Sequence, residues 1–145
     1  MWQRIQTLYL AISTVLMAVL VFGNAIAVNS PDGLEYVRYT ALAKPWMAVL
    51  LVITALVTVL ALVTFKVRIL QMRLAVIAGL LSLGLLGWLA WFYFTAPDGM
   101  VFRWTAIFPL VCGICDFLAA RGAFQDQLIV ESAYRVRESR RHRRK

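Results

Sequence analysis

WMAVLLVITALVTVLALVTF, at residues 46–65, decides the fold class, because it is twenty residues long and carries no charge. A helix rises about 1.5 Å per residue, so a run of this length crosses a hydrocarbon core of about 30 Å. Uncharged runs also occur at residues 5–28 and 74–94, and a shorter run at 104–120 contains Asp116 as its one charged residue. The sequence therefore predicts an all-α membrane protein, a bundle of four transmembrane helices.

The composition of the whole chain indicates that lipid is its main solvent. Hydrophobic residues make up 62% of the 145, charged residues only 15%, and the mean hydropathy is +0.78. A soluble domain of this length is far more polar. These values exclude a soluble globular domain.

The first apolar run has two features of a cleavable signal peptide. Met1–Arg4 is a basic start, and Ala25, Ile26 and Ala27 resemble a small-residue cleavage site. The run is longer than the roughly 7 to 15 apolar residues of a signal peptide, however, and suits a spanning helix. We expect it to be retained, which gives four spans, whereas cleavage would leave three.

The positions of lysine and arginine predict the orientation. Basic residues in short loops stay on the cytoplasmic side during insertion. With four spans, twelve of the fifteen basic residues fall on one side, and the other side holds only Arg38, Lys44 and Arg103. Both termini and the loop at 66–73 are therefore expected in the cytoplasm.

The two outer loops share a pattern. SPDGLEYVR at residues 30–38 follows the first run, and APDGMVFR at residues 96–103 follows the third. Pro-Asp-Gly is turn chemistry, and the aromatic and β-branched residues beside it suit short strands. We expect a small β-hairpin in each extracytoplasmic loop, although Pro-Asp-Gly also occurs in ordinary turns.

Small and hydroxyl side chains mark the expected helix contacts, because apolar side chains gain little by leaving lipid for a neighbouring helix. The third run carries such residues close to one stripe, and the first two runs carry hydroxyls that suit contact with it. These positions are Ala75, Gly79, Ser82 and Ala90 in the third run, Thr54 and Thr58 in the second, and Ser13 or Thr14 in the first.

Asp116 is a candidate intramembrane polar site. A carboxylate at the centre of a membrane costs about 2.5 to 3.5 kcal/mol on insertion scales, so it must face protein or water. Arg121 lies five residues further on, about 7.5 Å of helix rise, which allows a snorkelling or water-linked pair at the cytoplasmic boundary. The alternative is the proton or cation site of a small transporter.

Cys112 and Cys115 have the C-x-x-C spacing of thiol redox proteins. Four-helix membrane oxidoreductases that pass electrons from thiols to quinones use further cysteines in outer loops, and this chain has only two cysteines. The two lie within the fourth run, away from an aqueous thiol donor. Packing as small apolar residues is the favoured interpretation.

The cytoplasmic end carries the strongest surface signal. Seven of the eleven residues from 135 to 145 are basic, so this segment attracts anionic lipid or RNA phosphate, or simply anchors the topology. Residues 121–138 lack proline and, after Gly122, glycine, which predicts a helical extension with apolar residues on several sides. We therefore divide the chain into a transmembrane domain at 1–120 and a cytoplasmic helical extension with a basic tail at 121–145. The candidates for binding a partner or an anionic surface are Arg121, Asp126, Ser132, Arg135, Arg137, Arg140, Arg141, Arg143, Arg144 and Lys145.

Both ends of the chain resemble a known family. MWQRIQTLYL at residues 1–10 is similar to the start of an uncharacterised family of small four-helix membrane proteins of Bacteroidota-type bacteria, a DUF4293-like domain of unknown function. Near the other end, residues 121–137 are similar to the family pattern R-x-x-x-x-D-x-x-L-V-x-S-x-x-R-L-R. Tyr134 departs from the acidic residue that the family has at the x directly before R-L-R. The resemblance implies the bacterial inner membrane and implies no activity.

We expect a non-enzymatic accessory or scaffold subunit that docks a protein partner, in the inner membrane or the cytoplasm, through its cytoplasmic end. His142, the sole histidine, lies in the basic tail, and no phosphate-cradling loop or carboxylate cluster is present. No cofactor, metal or small-molecule substrate is expected. Two alternatives remain open: a small proton- or cation-coupled transporter using Asp116, and a thiol oxidoreductase using Cys112 and Cys115.

The first prediction concerns topology. A reporter that works only in the cytoplasm should be active after Lys145 and within the loop at 66–73, and inactive after Gly33 or Gly99, because of the twelve-to-three distribution of basic residues. Reporter fusions in intact cells measure this directly. Activity after Gly99 would rule out four spans with this orientation.

Overall fold

Four long helices make up most of the chain, in a computed structural model that describes residues 2–30, 33–39, 45–95 and 100–142. The helices are α1 (Trp2–Phe22), α2 (Pro45–Val63), α3 (Arg68–Thr95) and α4 (Phe108–His142). Three strands lie between them: β1 (Asn24–Ser30), β2 (Gly33–Arg38) and β3 (Met100–Phe102). Short 3₁₀ turns at Thr64–Lys66 and Trp104–Ile107 complete the described elements.

Each of the four helices is long and apolar enough to cross a membrane. Among the described residues, the candidate spans are Ile5–Phe22, Pro45–Lys66, Arg68–Thr95 and Trp104–Arg135. Many large apolar side chains on these helices are exposed, including Val15, Leu56 and Leu80, as expected for surfaces that face lipid. The predicted number of membrane-spanning helices is confirmed.

The first and last spans begin or end differently from the apolar runs in the sequence. Helix α1 ends at Phe22 rather than near Val28, and Asn24–Ser30 forms β1 instead. At Gly23 the chain turns so tightly that a Cβ atom would lie 2.3 Å from the Val19 carbonyl oxygen. Helix α4 begins at Phe108 rather than at Trp104, with Pro109 in its first turn, where a missing N–H costs nothing.

The strands form one sheet in the order β2-β1-β3. Strands β1 and β2 are antiparallel neighbours, with Ser30 opposite Gly33, and β3 pairs with the other edge of β1, where Ile26 faces Phe102. The predicted hairpin in the second loop is therefore wrong for the described residues, since that loop adds one strand to β1. Pairing with an existing edge satisfies the backbone groups of a strand too short to be stable alone. Residues 31–32 and 96–99, which include both predicted Pro-Asp turns, lie outside the described residues.

Because β1 pairs with β3, the loops after α1 and α3 lie at the same end of the bundle, which we call the sheet end. The opposite end, where α1 begins and α4 passes beside it, is the terminal end. One apolar cluster lies towards each end. The sheet-end cluster includes Met17, Leu51, Leu85 and Cys112, and the terminal-end cluster consists of Leu10, Ala61, Ala75, Ala119 and Ala120.

Tyr39, directly after β2, connects the two loops of the sheet end. Its side chain is 2% exposed, and its hydroxyl lies 2.9 Å from the Thr105 hydroxyl. Burial raises the pKa of the Tyr39 hydroxyl, which therefore stays protonated at neutral pH and is able to donate to Thr105. Thr105 in turn donates to the Asn24 carbonyl oxygen at 3.5 Å.

We predict that Tyr39→Phe lowers the free energy of unfolding by about 1 kcal/mol, and the Tm by roughly 2–5 °C, because it removes one hydrogen bond and leaves the ring in place. Tyr36→Phe is the matched control, since Tyr36 is 53% exposed and its ring keeps its position beneath the Arg103 guanidinium, 5.5 Å away. Thermal unfolding in detergent measures both. Equal losses of Tm in the two variants would contradict the role of the Tyr39–Thr105 bond.

A buried polar layer and an exposed terminal end

A layer of buried polar side chains separates the two apolar clusters. Each helix contributes to it, and every member is 0% exposed. We call this set the polar layer: Ser13 on α1, Thr54 and Thr58 on α2, Ser82 on α3 and Asp116 on α4.

The polar layer lies near the middle of the membrane-spanning region. Ser13 is eight residues from the start of its span at Ile5 and nine from its end at Phe22. Ser82 is fourteen residues from the start of the α3 span at Arg68 and thirteen from its end at Thr95. Because Asp116 is level with these two serines, it lies near the middle of the candidate spans.

Asp116 and Arg121 do not form a direct pair among the described residues. Asp116 is fully buried and its carboxylate oxygens have no partner, whereas the Arg121 side chain is exposed. The reason is geometric. Five residues of a continuous helix rotate a side chain by about 140° at 100° per residue, so the two side chains leave α4 on different faces.

The hydroxyl groups of the polar layer and of the adjacent Thr14 fall into two classes. Those of Thr14, Thr54 and Thr58 donate to the carbonyl oxygen four residues earlier on their own helix, at 2.7, 2.7 and 2.8 Å. This is the usual way in which a hydroxyl within a helix satisfies its donor. The hydroxyls of Ser13 and Ser82 do not form such a bond.

Ser13 and Ser82 instead face Asp116. Both hydroxyls lie close enough to its carboxyl group to interact with it, but none of the four oxygen atoms meets the distance and angle of a hydrogen bond. An unsatisfied buried polar group costs about 1–3 kcal/mol in proteins, and an ionised one far more. The bundle therefore holds four side-chain oxygens from three helices that lack a partner within it.

Close contact between α3 and α4 brings these groups together. A Cβ atom at Gly79 would lie 3.2 Å from the Phe117 ring, and one at Gly113 would lie 3.6 Å from the Gly79 carbonyl oxygen. Small residues permit such approach between membrane helices. Gly79 and Gly113 each lie three residues before the layer residue of their own helix, so the closest part of this crossing adjoins Ser82 and Asp116.

Both cysteines lie inside the bundle beside the polar layer. Cys112 and Cys115 are free thiols, and Cys112 is fully buried. The Cys112 thiol donates to the Ser13 carbonyl oxygen at 3.7 Å, a weak bond that ties α4 to α1. These are the positions of packing residues, and Cys112 belongs to the sheet-end cluster.

At the terminal end, the candidate binding residues whose side chains the structure describes make separate contacts along α4. The Gln6 amide nitrogen donates to Asp126 Oδ2 at 3.0 Å. Further along α4, the Ser132 hydroxyl donates to the Ile129 carbonyl oxygen at 2.8 Å, and Arg135 forms an exposed ion pair with Glu131 at 2.7 Å. The side chains of Arg137, Arg140 and Arg141, and residues Arg143, Arg144 and Lys145, lie outside the described part of the structure.

A groove of about 330 Å³ opens between α1 and α4 beside the Gln6–Asp126 bond. Gln6 and Tyr9 line it on α1, and Arg121 and Gln125 line it on α4. The two end segments that carry the family resemblance therefore contact each other. Among the described residues, no group of three His, Cys, Asp or Glu side chains is arranged to hold a metal ion.

The chain matches a known protein family over most of its length. The profile of the family described as "Domain of unknown function (DUF4293)" matches residues 2–136, nearly the whole chain. The chain belongs to this family. No curated protein and no solved structure matches it. The match covers residues of all four helices, and the family description assigns no activity to them.

Sequence patterns identified Asp116 but not its companions. Ser13 and Ser82 were expected only as helix contacts, and their common depth with Asp116 depends on how the helices are shifted along one another. A signal was nonetheless present, since each serine lies near the centre of an otherwise apolar run.

Proposed function

We propose that this protein is a non-enzymatic accessory or scaffold subunit of the bacterial inner membrane, and that it docks a protein partner through the cytoplasmic part of α4. The observation that supports this is a set of large apolar side chains exposed on α4 after the Gln6–Asp126 bond. These residues are Leu128, Ile129, Val130 and Tyr134.

The lengths of the helices explain why α1 does not cover Tyr134. Helix α4 continues for sixteen residues after Asp126, about 24 Å of helix rise, whereas α1 begins only four residues before Gln6. Ile129 is 62% exposed and Tyr134 is 67% exposed. Although the fourth candidate span extends to Arg135, Leu128 lies twelve residues after Asp116, about 18 Å of helix rise, which exceeds half of a hydrocarbon core of about 30 Å. Clustered apolar side chains exposed beyond that depth mark a contact surface.

The arrangement of these side chains favours a protein partner over the membrane surface. At 100° per residue, Leu128, Ile129 and Tyr134 point in three directions more than 90° apart. A helix that lies on a membrane surface needs one apolar face and one polar face. A partner that contacts α4 on two sides covers all three residues, and the basic residues of the tail extend this contact to anionic lipid or RNA phosphate.

We expect that Ile129→Gln combined with Tyr134→Gln reduces the amount of a stoichiometric partner recovered in mild detergent by about tenfold or more, because central apolar contacts dominate interface energy. Ala133→Gln is the matched control on the same exposed stretch of helix. Quantitative mass spectrometry of the purified assembly measures the recovery. Recovery of the same partner at undiminished stoichiometry with the double variant would rule out this part of α4 as its docking surface.

A second candidate function, a small proton- or cation-coupled transporter, is supported by the polar layer. Transporters place their ion sites near the bilayer midplane, and ionisable residues there commonly serve ion pathways. Asp116 has that depth and faces two hydroxyls without a bonded partner. This candidate and the scaffold proposal depend on different parts of α4 and are tested separately.

If the transport candidate is correct, Asp116→Asn should abolish proton- or cation-driven flux in reconstituted vesicles, because the amide cannot carry the neutralising charge. Deletion of residues 140–145 should leave flux unchanged. Asp126→Asn is the control carboxylate, since Asp126 accepts its bond from Gln6 at the terminal end. Flux that survives in Asp116→Asn, or that is absent from the wild-type protein, would eliminate this candidate.

A further inference from the structure

The four unpartnered oxygens of the polar layer point to a ligand. Two belong to the Asp116 carboxyl group, one to Ser13 and one to Ser82, and each of these side chains is 0% exposed. We propose that Ser13, Ser82 and Asp116 form a binding site for one dehydrated monovalent metal cation of the Na⁺ type. The transport candidate would use this site, whereas the docking proposal is independent of it.

The charge of the layer selects a monovalent ion. Asp116 is the only carboxylate among the buried residues that the structure describes, and the titratable side chains beside it are the thiols of Cys112 and Cys115. One positive charge neutralises one carboxylate, which removes the main cost of an ion in a hydrocarbon environment. A divalent ion would leave a net charge at mid-membrane depth, and the described residues lack the cluster of acidic ligands that such an ion prefers.

The chemistry of the donors selects a hard cation. Carboxylate and hydroxyl oxygens suit hard metal ions, whereas thiols suit soft ones. The two serines differ from Thr14, Thr54 and Thr58 in that their hydroxyls are not bonded to their own helices. Their oxygen lone pairs therefore remain available on the side of the carboxylate, as ligation requires.

Because the three proposed ion ligands belong to three different helices, ion binding should have a measurable effect on the stability of the fold. Ser13, Ser82 and Asp116 lie on α1, α3 and α4, so a bound ion joins three helices. A ligand that binds only the folded state raises the stability in proportion to the logarithm of its concentration above Kd. Sodium should therefore raise the Tm even when no transport is being measured.

The test is thermal unfolding of the full chain in detergent at constant pH and ionic strength, with sodium chloride exchanged for choline chloride. We expect sodium at ten times its Kd to raise the Tm of the wild-type protein by roughly 3–6 °C. Ser13→Ala and Ser82→Ala should each weaken the apparent sodium affinity several-fold, and Asp116→Asn should abolish the shift. Thr14→Ala is the matched control, because its hydroxyl is next to Ser13 in sequence but bonds to its own helix.

The outcomes separate the cation site from its alternatives. A Tm that responds to pH but not to sodium in the wild-type protein would show that a proton alone occupies Asp116 and would overturn the proposal. A sodium shift that persists in Asp116→Asn, or that Thr14→Ala weakens as much as Ser13→Ala does, would overturn it as well. If Asp116→Asn fails to fold, the two serine variants decide the matter. Sodium binding without flux would retain the site and eliminate the transporter.

Discussion

Within a hydrocarbon core, an apolar side chain gains nothing by moving from lipid to the interior of a helix bundle, so the interior must be held together by other means. This constraint explains why so many large aliphatic side chains of α1–α4 face outwards while alanine, glycine, serine and threonine lie inside. The helices approach closely where side chains are small, as at Gly79 and Gly113. In the same interior each polar group needs a partner, because neither water nor lipid supplies one. The threonines of the polar layer find partners on their own helices, and the group around Asp116 does not.

The two ends of the bundle meet this constraint differently. At the sheet end, backbone groups of both loops pair in one three-stranded sheet, and Tyr39 and Thr105 join the loops through their side chains. At the terminal end, one side-chain bond between Gln6 and Asp126 links α1 to α4, and α4 then continues without cover from α1. The two loops of the sheet end are thus bonded to each other, whereas the terminal end leaves part of α4 exposed. Both sites considered for function include residues of α4, one near the middle of the candidate spans and one towards the terminal end.

Much of the fold could be predicted from apolar run lengths, because lipid imposes a minimum length on any spanning helix. The ends of the runs were less predictable. Residues 24–28 are apolar enough to continue α1, but Gly23 and the β-branched residues after it favour a strand, which only the partner strands β2 and β3 make stable. The contacts of Asp116 could not be predicted, since hydropathy does not record how helices are shifted along one another. That shift brings Ser13 and Ser82 level with the carboxylate, whereas Arg121 lies on another face because five residues separate it from Asp116 on the same helix.

The central position of β1 in the sheet also determines which motions the bundle permits. Strand β1 is hydrogen-bonded to β2 on one side and to β3 on the other. The sheet therefore connects the α1–α2 pair to the α3–α4 pair at the sheet end. If the two helix pairs move relative to each other, they rotate about the sheet, and the displacement is largest at the terminal end. A small rotation there would change the separation of α1 and α4 at the depth of Ser13 and Asp116.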